Sequence, residues 1–399
     1  EGVREQGCDV VLIGLCSTDG LYYASGSMGL PGAMFTASHN PAKYNGIKLC
    51  RPGAAPVGQD SGLREIRALV ERPIPASDAP LGTVREQDTL ADYARFLRGL
   101  VDLSGIRPLN VVVDAGNGMG GFTVPAVLGD AAGLSSLPLR IDPMYFELDG
   151  TFPNHEANPI EPANLADLQA RVVATGADLG LAIDGDADRC FVVDERGGIV
   201  SPSTLTALIA ARELARYPGS VVIHNLITSA AVPEVVREHG GRPVRTRVGH
   251  SFIKATMAQT DAVFGGEHSG HFYFRDFWRA DSGMLAAMHA IAALGETAPN
   301  TALSSVLTPY DRYCGSGEIN TEVRDQAAAT ERIRTAFTDR PGVGMDELDG
   351  LTVTADGWWF NVRPSNTEPL LRLNVEAADE QAMSEIRDEV LALMRTGAA

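Results

Sequence analysis

Leu109-Asn110-Val111-Val112-Val113-Asp114 runs straight into Ala115-Gly116-Asn117-Gly118, and a helical pattern follows. A short, nearly unbroken apolar run bounded by turn residues suits a strand buried on both faces. Strand, glycine turn and helix form a mononucleotide-type unit, the building block of α/β folds. The glycines either serve a phosphate or let strand and helix pack closely.

The alternation extends in both directions. Upstream, residues 9–15 read as a buried strand, and a helix starts near Thr18, an N-cap candidate. Residues 32–35 read as a short buried strand and 47–50 as another, with Asn45-Gly46 a tight-turn signal before the second. Helical patterns follow at 62–71 and 89–101, then a linker at 104–108. Downstream come a helix at 164–175, strands at 179–183 and 190–194, and a linker at 197–202. Helices at 203–215 and 229–239 alternate with strands at 220–224 and 243–248. A strand at 262–265 and a helix at 281–294 close that unit. The tail reads strand, helix, two strands, strand, helix. The fold class is therefore α/β: three successive mixed α/β domains of similar architecture plus a C-terminal α+β domain. Boundaries are expected at 1–103, 104–200, 201–312 and 313–399.

Composition narrows the function. The chain has 399 residues and a net charge of -18. That charge argues against nucleic acid or an anionic membrane as the main partner, although a local arginine cluster can still hold a small anion. An odd number of cysteines, five without paired spacing, argues against a disulfide framework and a zinc site and fits a reducing cytosol. No apolar run reaches membrane-spanning length. A cytoplasmic protein is expected.

Four polar loops at strand ends carry the chemistry. Thr36-Ala37-Ser38-His39-Asn40-Pro41 sets a hydroxyl beside an imidazole, one recipe for a nucleophile. Thr36, Ser38 and Asn40 also suit the humbler task of satisfying loop backbone groups. Two of the three lysines, Lys43 and Lys48, flank Ser38; the third is Lys254. Where arginine is the default cation, a lysine suggests that a compact, titratable ammonium is wanted. Asp184, Asp186 and Asp188 alternate in DGDADR, so an extended loop would converge three carboxylates on a divalent cation such as Mg²⁺. An EF-hand is the rival, but Arg189 stands where that loop needs glycine and the flanks are strands. Gly266-Glu267-His268-Ser269-Gly270-His271 mixes donors and acceptors suited to a hydroxyl-rich ligand, and His268 or His271 can serve as acid or base. Arg363, Ser365, Asn366 and Thr367 outline an anion nest.

In this order and spacing, TASHNP, DGDADR, GEHSGH and RPSNTEP resemble the active-site loops of the α-D-phosphohexomutase superfamily, in its phosphomannomutase/phosphoglucomutase branch. The resemblance covers the whole chain. It implies domains around a central cleft, with Ser38 as the phosphoserine. Asp184, Asp186, Asp188 and that phosphoserine would bind Mg²⁺. Lys48 would be the general acid/base. His39, Asn40 and Arg189 would line the transferred phosphoryl group. His250 and Lys254 would lie near the ligand, Glu267 and Ser269 would grip sugar hydroxyls, and His271 would stand near the reacting centre. Arg363, Ser365, Asn366 and Thr367 would clamp the non-reacting phosphate.

The implied activity interconverts hexose 1- and 6-phosphates of mannose or glucose through a hexose 1,6-bisphosphate. A small-molecule sugar phosphate is the expected partner, and the chain is expected to be a monomer or weak homodimer. Phosphoglucosamine mutase, a phosphoserine-dependent phosphohydrolase and a non-catalytic sugar-phosphate binder are the alternatives. One departure stands out: the Asp-x-Arg-Gly and Asp-x-Arg motifs with which family members open are not here. The chain is therefore expected to start inside its first domain, without an arginine beside the phosphoserine.

Overall fold

The computed structural model describes residues 1–365 and 369–395. They divide into two compact units, one of Glu1–Pro202 with Ser269–Val306 and one of Ser203–His268 with Leu307–Ala399. Among the described residues no helix is long and apolar enough to cross a membrane.

In the first unit, Leu109–Asp114 is an interior strand of a five-stranded sheet, next to its edge. It pairs parallel with Leu139–Met144 on one side and Leu179–Ile183 on the other. Leu179–Ile183 then pairs antiparallel with Cys190–Asp194, Ile183 opposite Cys190. DGDADR is thus the loop of a β-hairpin whose two strands are buried along their whole length. Val112, Ala182, Phe191 and Val193 from this sheet pack on Leu165, Leu168 and Val172, the last two from helix Ala166–Thr175.

TASHNP also lies on a hairpin. Gly32–Phe35 pairs antiparallel with Ile47–Arg51, Phe35 opposite Ile47. The Asn-Gly tight turn expected from the sequence does not form; the connection is the whole of 36–46, closed by Thr36 N donating to Gly46 O at 3.1 Å. Nor is Gly32–Phe35 a buried strand, since its side chains alternate and Phe35 is 82% exposed. Helix Thr18–Met28 begins one residue earlier than read: Ser17 is the N-cap, its side chain accepting from Gly20 N, and Thr18 is the first helical residue. Thr18 is therefore free for another task.

The same helix buries Asp19. Its carboxylate accepts from Ser17, from Tyr93 Oη at 2.7 Å and from Ser282 Oγ at 2.9 Å. Burial raises its pKa to about 6 in spite of these donors. A raised carboxylate pKa costs stability as pH climbs from the unfolded value to the folded one. On this count the unit weakens between pH 4 and pH 6–7, by an order of 2–3 kcal/mol. Asp19→Asn cannot ionise, so the stability of this variant relative to wild type should rise across that window. A difference in melting temperature that stays flat with pH would show that Asp19 ionises without penalty.

In the second unit, Val221–Asn225 lies between Arg242–Thr246 and Phe264–Gly266, all parallel. Helix His250–Thr260 buries Ile253, Lys254 and Met257. The tail is an antiparallel sheet in the order Cys314–Glu322, Leu370–Ala377, Trp358–Pro364, Leu351–Ala355, Gly344–Asp346. Helices Gln326–Thr338 and Glu380–Arg395 cover it, with Ile333, Phe337, Phe360, Val362 and Leu373 in the shared core.

Candidate active site

The first unit gathers most of the residues singled out in the sequence. Ser38 sits at a positive φ of 53°, a left-handed conformation unusual for a side-chain-bearing residue. Its Oγ stands 3.4 Å from Asp184 Oδ2 and 3.2 Å from His39 Nδ1. Burial and the Arg189 charge push the His39 ring down to about 4, so it is neutral at neutral pH. Asn40 turns away: its side chain is exposed and donates to Ala37 O at 2.8 Å, the plain loop role.

The three aspartates do converge, with one oxygen from each lying within 4.8 Å of the others. The means differ from the extended alternation read in the sequence. Residues 184–188 form a turn, with Ala187 at φ 60° and Ala187 N donating to Asp184 O at 3.0 Å. All three are buried, at 0%, 2% and 1% exposure. Asp184 Oδ1 accepts from the backbone N–H groups of Asp188 and Arg189, each at 3.1 Å, and Oδ2 accepts from Arg189 Nε at 2.8 Å. Burial nevertheless pushes the Asp184 carboxyl up, because Arg189 is opposed by Asp186 and Asp188.

Lys48 Nζ reaches into the same cluster, 2.8 Å from Asp186 Oδ2 and 2.5 Å from Asp188 Oδ2. Burial alone would lower its pKa, but the Asp188 and Asp186 charges outweigh this and hold the ammonium well above its ordinary value. His271 Nε2 lies 3.7 Å from Asp188 Oδ1, and His271 Nδ1 lies 3.1 Å from Ser269 Oγ.

Metal fit can be judged from the oxygens left over. Asp186 Oδ1 and Asp188 Oδ1 are buried without a hydrogen-bond partner, and Asp188 Oδ1 has basic neighbours, Arg189 Nε at 3.9 Å and His271 Nε2 at 3.7 Å. Such orphaned anionic oxygens are costly unless a cation meets them. Hard oxygens of this kind suit Mg²⁺, which takes a few carboxylates and completes its shell with water or phosphate.

The glycine turn of the opening motif supports this loop. Met119 N donates to Gly185 O at 2.9 Å, and a Cβ on Gly118 would stand 2.6 Å from that oxygen. A Cβ on Gly185 would in turn stand 2.4 Å from Ser38 O. Gly118 is there for close packing on the loop that holds the aspartates.

Sequence reasoning missed two residues of this cluster. Thr18 Oγ1 and Thr36 Oγ1 donate to Asp186 Oδ2 at 2.9 and 3.0 Å. By sequence Thr18 has the signature of a cap, and nothing local points either threonine at an aspartate.

The second unit holds the remaining candidates. Glu267 is 2% exposed, and its Oε1 accepts from Gly249 N at 3.1 Å and Asn225 Nδ2 at 3.4 Å, which ties it to the loop carrying His250. Lys254 is buried on the helix behind that loop. His268 Nδ1 lies 3.2 Å from Ser203 Oγ. Arg363 is buried and pairs with Glu318, which Arg372 also approaches at 3.4 Å; Arg363 Nη1 has no hydrogen-bond partner. Ser365 N donates to Leu370 O at 2.9 Å. Asn366 and Thr367 lie outside the described residues.

Family models for the phosphoglucomutase/phosphomannomutase domains match this chain in sequence order. The alpha/beta/alpha domains I, II and III match residues 1–75, 91–198 and 201–313, and the C-terminal domain matches 318–393. The chain belongs to the phosphoglucomutase/phosphomannomutase family. It is 38% identical to a phosphomannomutase of Escherichia coli over 400 residues, 99% of this chain and 87% of that protein. The crystal structure of a phosphoglucomutase/phosphomannomutase family protein from Burkholderia thailandensis superposes with a TM-score of 0.84 at 30% identity, covering 99% of this chain and 84% of the other. The N-acetylphosphoglucosamine mutase of Aspergillus fumigatus, solved with GlcNAc-6P and magnesium, shares the fold at a TM-score of 0.66 and 15% identity, over 95% and 93% of the two chains. Membership makes this chain a hexose phosphate mutase, an isomerase-type enzyme with the family's mixed α/β domains.

Proposed function

We propose that this mutase interconverts hexose 1-phosphate and hexose 6-phosphate of mannose and glucose, with Ser38 as the phosphoryl carrier. The observation that carries the reading is Ser38 Oγ beside Asp184 Oδ2 in a cluster of three buried carboxylates. A hydroxyl set against a built cation site is what phosphoryl transfer requires, since positioning and charge neutralisation do most of the work there.

In the cycle, phosphoserine 38 gives its phosphoryl group to the free hydroxyl of a hexose monophosphate, forming a hexose 1,6-bisphosphate. Ser38 then takes back the other phosphate. Lys48 holds or supplies the proton exchanged at the sugar oxygen, and Arg189 and His39 line the group in transit. Mg²⁺, held by Asp184, Asp186, Asp188 and the phosphoserine, would neutralise charge on the transferred group. Support for that ion comes from the orphaned Asp186 and Asp188 oxygens and from the magnesium complex of the Aspergillus enzyme. Glu267 and Ser269 take sugar hydroxyls, and His250 and Lys254 also bind the substrate. Arg363, Ser365, Asn366 and Thr367 take the phosphate that does not react.

A coupled assay on mannose 1-phosphate with catalytic hexose 1,6-bisphosphate tests the reading. Mannose 6-phosphate is the expected product. Release of inorganic phosphate would make the chain a hydrolase, and no turnover would make it a binder.

The clamp gives a separate prediction. Arg363→Ala removes a charge-assisted contact to a group that does not react, so KM should rise while kcat changes little. The loss should be roughly 1.5–3 kcal/mol of binding. Unchanged affinity for glucose 1-phosphate would remove Arg363 from the site.

A further inference from the structure

The two carboxylate oxygens of Asp186 face different surroundings. Oδ2 accepts from Thr18 Oγ1 at 2.9 Å and from Thr36 Oγ1 at 3.0 Å, and it forms an ion pair with Lys48 Nζ at 2.8 Å. Oδ1 is buried and has no hydrogen-bond partner. Two hydroxyl donors and an ammonium on one oxygen fix the plane of the carboxylate and leave the other oxygen for a cation.

Thr36 differs from the other two partners of Oδ2. Its Oγ1 also accepts from Ser38 N at 2.8 Å. A hydroxyl has one proton to give, and giving it to Asp186 leaves its lone pairs for the Ser38 amide. One oxygen therefore joins the metal carboxylate to the backbone of the nucleophile. Ser38 needs such a tie, because its left-handed φ of 53° persists only where the surroundings impose it. Thr18 holds Asp186 from the helix, its own N donating to Asp186 O at 2.8 Å, and has no contact of this kind to Ser38.

We propose that Thr36 is a positioning residue that orients Asp186 Oδ1 toward the metal and pins the Ser38 turn to that carboxylate. The proposal rests on the assignment of Ser38 and Asp186 given above. Partners of this kind behind a metal ligand set its orientation, and their loss weakens metal binding roughly 10–100-fold. Thr18 and Lys48 still satisfy Oδ2 when the Thr36 hydroxyl is gone, so the loop need not collapse.

Mn²⁺ titrated into the purified chain, with free ion read by electron paramagnetic resonance, provides the test without turnover. Thr36→Val should raise the Kd about tenfold or more, and Thr36→Ser, which keeps the hydroxyl, should return it to near the wild-type value. Asp186→Asn in the same titration separates the proposal from the assignment beneath it. Mn²⁺ binding unchanged in Asp186→Asn overturns the metal site itself. Binding lost in Asp186→Asn but at wild-type strength in Thr36→Val overturns the Thr36 role alone. Should Thr36→Val fail to fold, Thr36→Ala replaces it, and a Ser variant as weak as the Ala variant overturns the proposal.

Discussion

Ser38→Ala is expected to abolish bisphosphate-activated turnover while leaving the fold intact. No nearby hydroxyl can replace Ser38. Thr18 and Thr36 are committed to Asp186 Oδ2, and Ser269 lies against His271. The serine Oγ spans only the long 3.4 Å contact to Asp184 and the 3.2 Å contact to His39, so its removal strands no tightly bonded partner. Wild-type protein should carry ~80 Da on Ser38, one phosphoryl group in place of a proton, and the variant none. Peptide mass spectrometry that finds the phosphate on another residue would end the assignment of Ser38.

Asp186→Asn should cost about 4 kcal/mol of transition-state stabilisation, roughly a thousandfold in rate. The loss goes beyond one charge. Two threonine hydroxyls donate to Oδ2 and the Lys48 ammonium pairs with it, so the amide oxygen of an asparagine will turn to them. That leaves an NH₂ group where Oδ1 should face the cation. Because the side chain is 2% exposed, the change will be felt by the loop as well as by the ion. Wild type should lose its rate in excess EDTA and regain it with Mg²⁺, while the variant should respond weakly to either. A wild-type rate indifferent to EDTA would remove the metal from the mechanism.

The elements that could be read from sequence were those with their own apolar pattern. Leu179–Ile183 and Cys190–Asp194 were read with the bounds they have, because each is buried at every position. Leu139–Met144 was missed: it lies at the sheet edge, carries Pro143 and is only partly buried. Val84–Glu86 was missed because all three of its residues are exposed and no periodicity marks it. The three aspartates were legible as a run in DGDADR, but the turn that converges them was not, since Ala187 gives no sign of its positive φ. Thr18 and Thr36 were beyond sequence reading for another reason. Their partner lies 168 and 150 residues away, a distance over which only the folded chain connects them.

The packing of Gly118 on Gly185, and of Gly185 on Ser38, bears on transplantation. A side chain at position 118 would strike the aspartate loop, and one at position 185 would strike the Ser38 carbonyl. Three short segments scattered along the first half of the chain therefore form a single stack, each shaped to the bare backbone of the next. Grafting DGDADR alone into another hairpin would carry over the carboxylates and lose the surfaces that hold them in place. The smallest portable piece is the stack of all three, which recombination can move only as a unit.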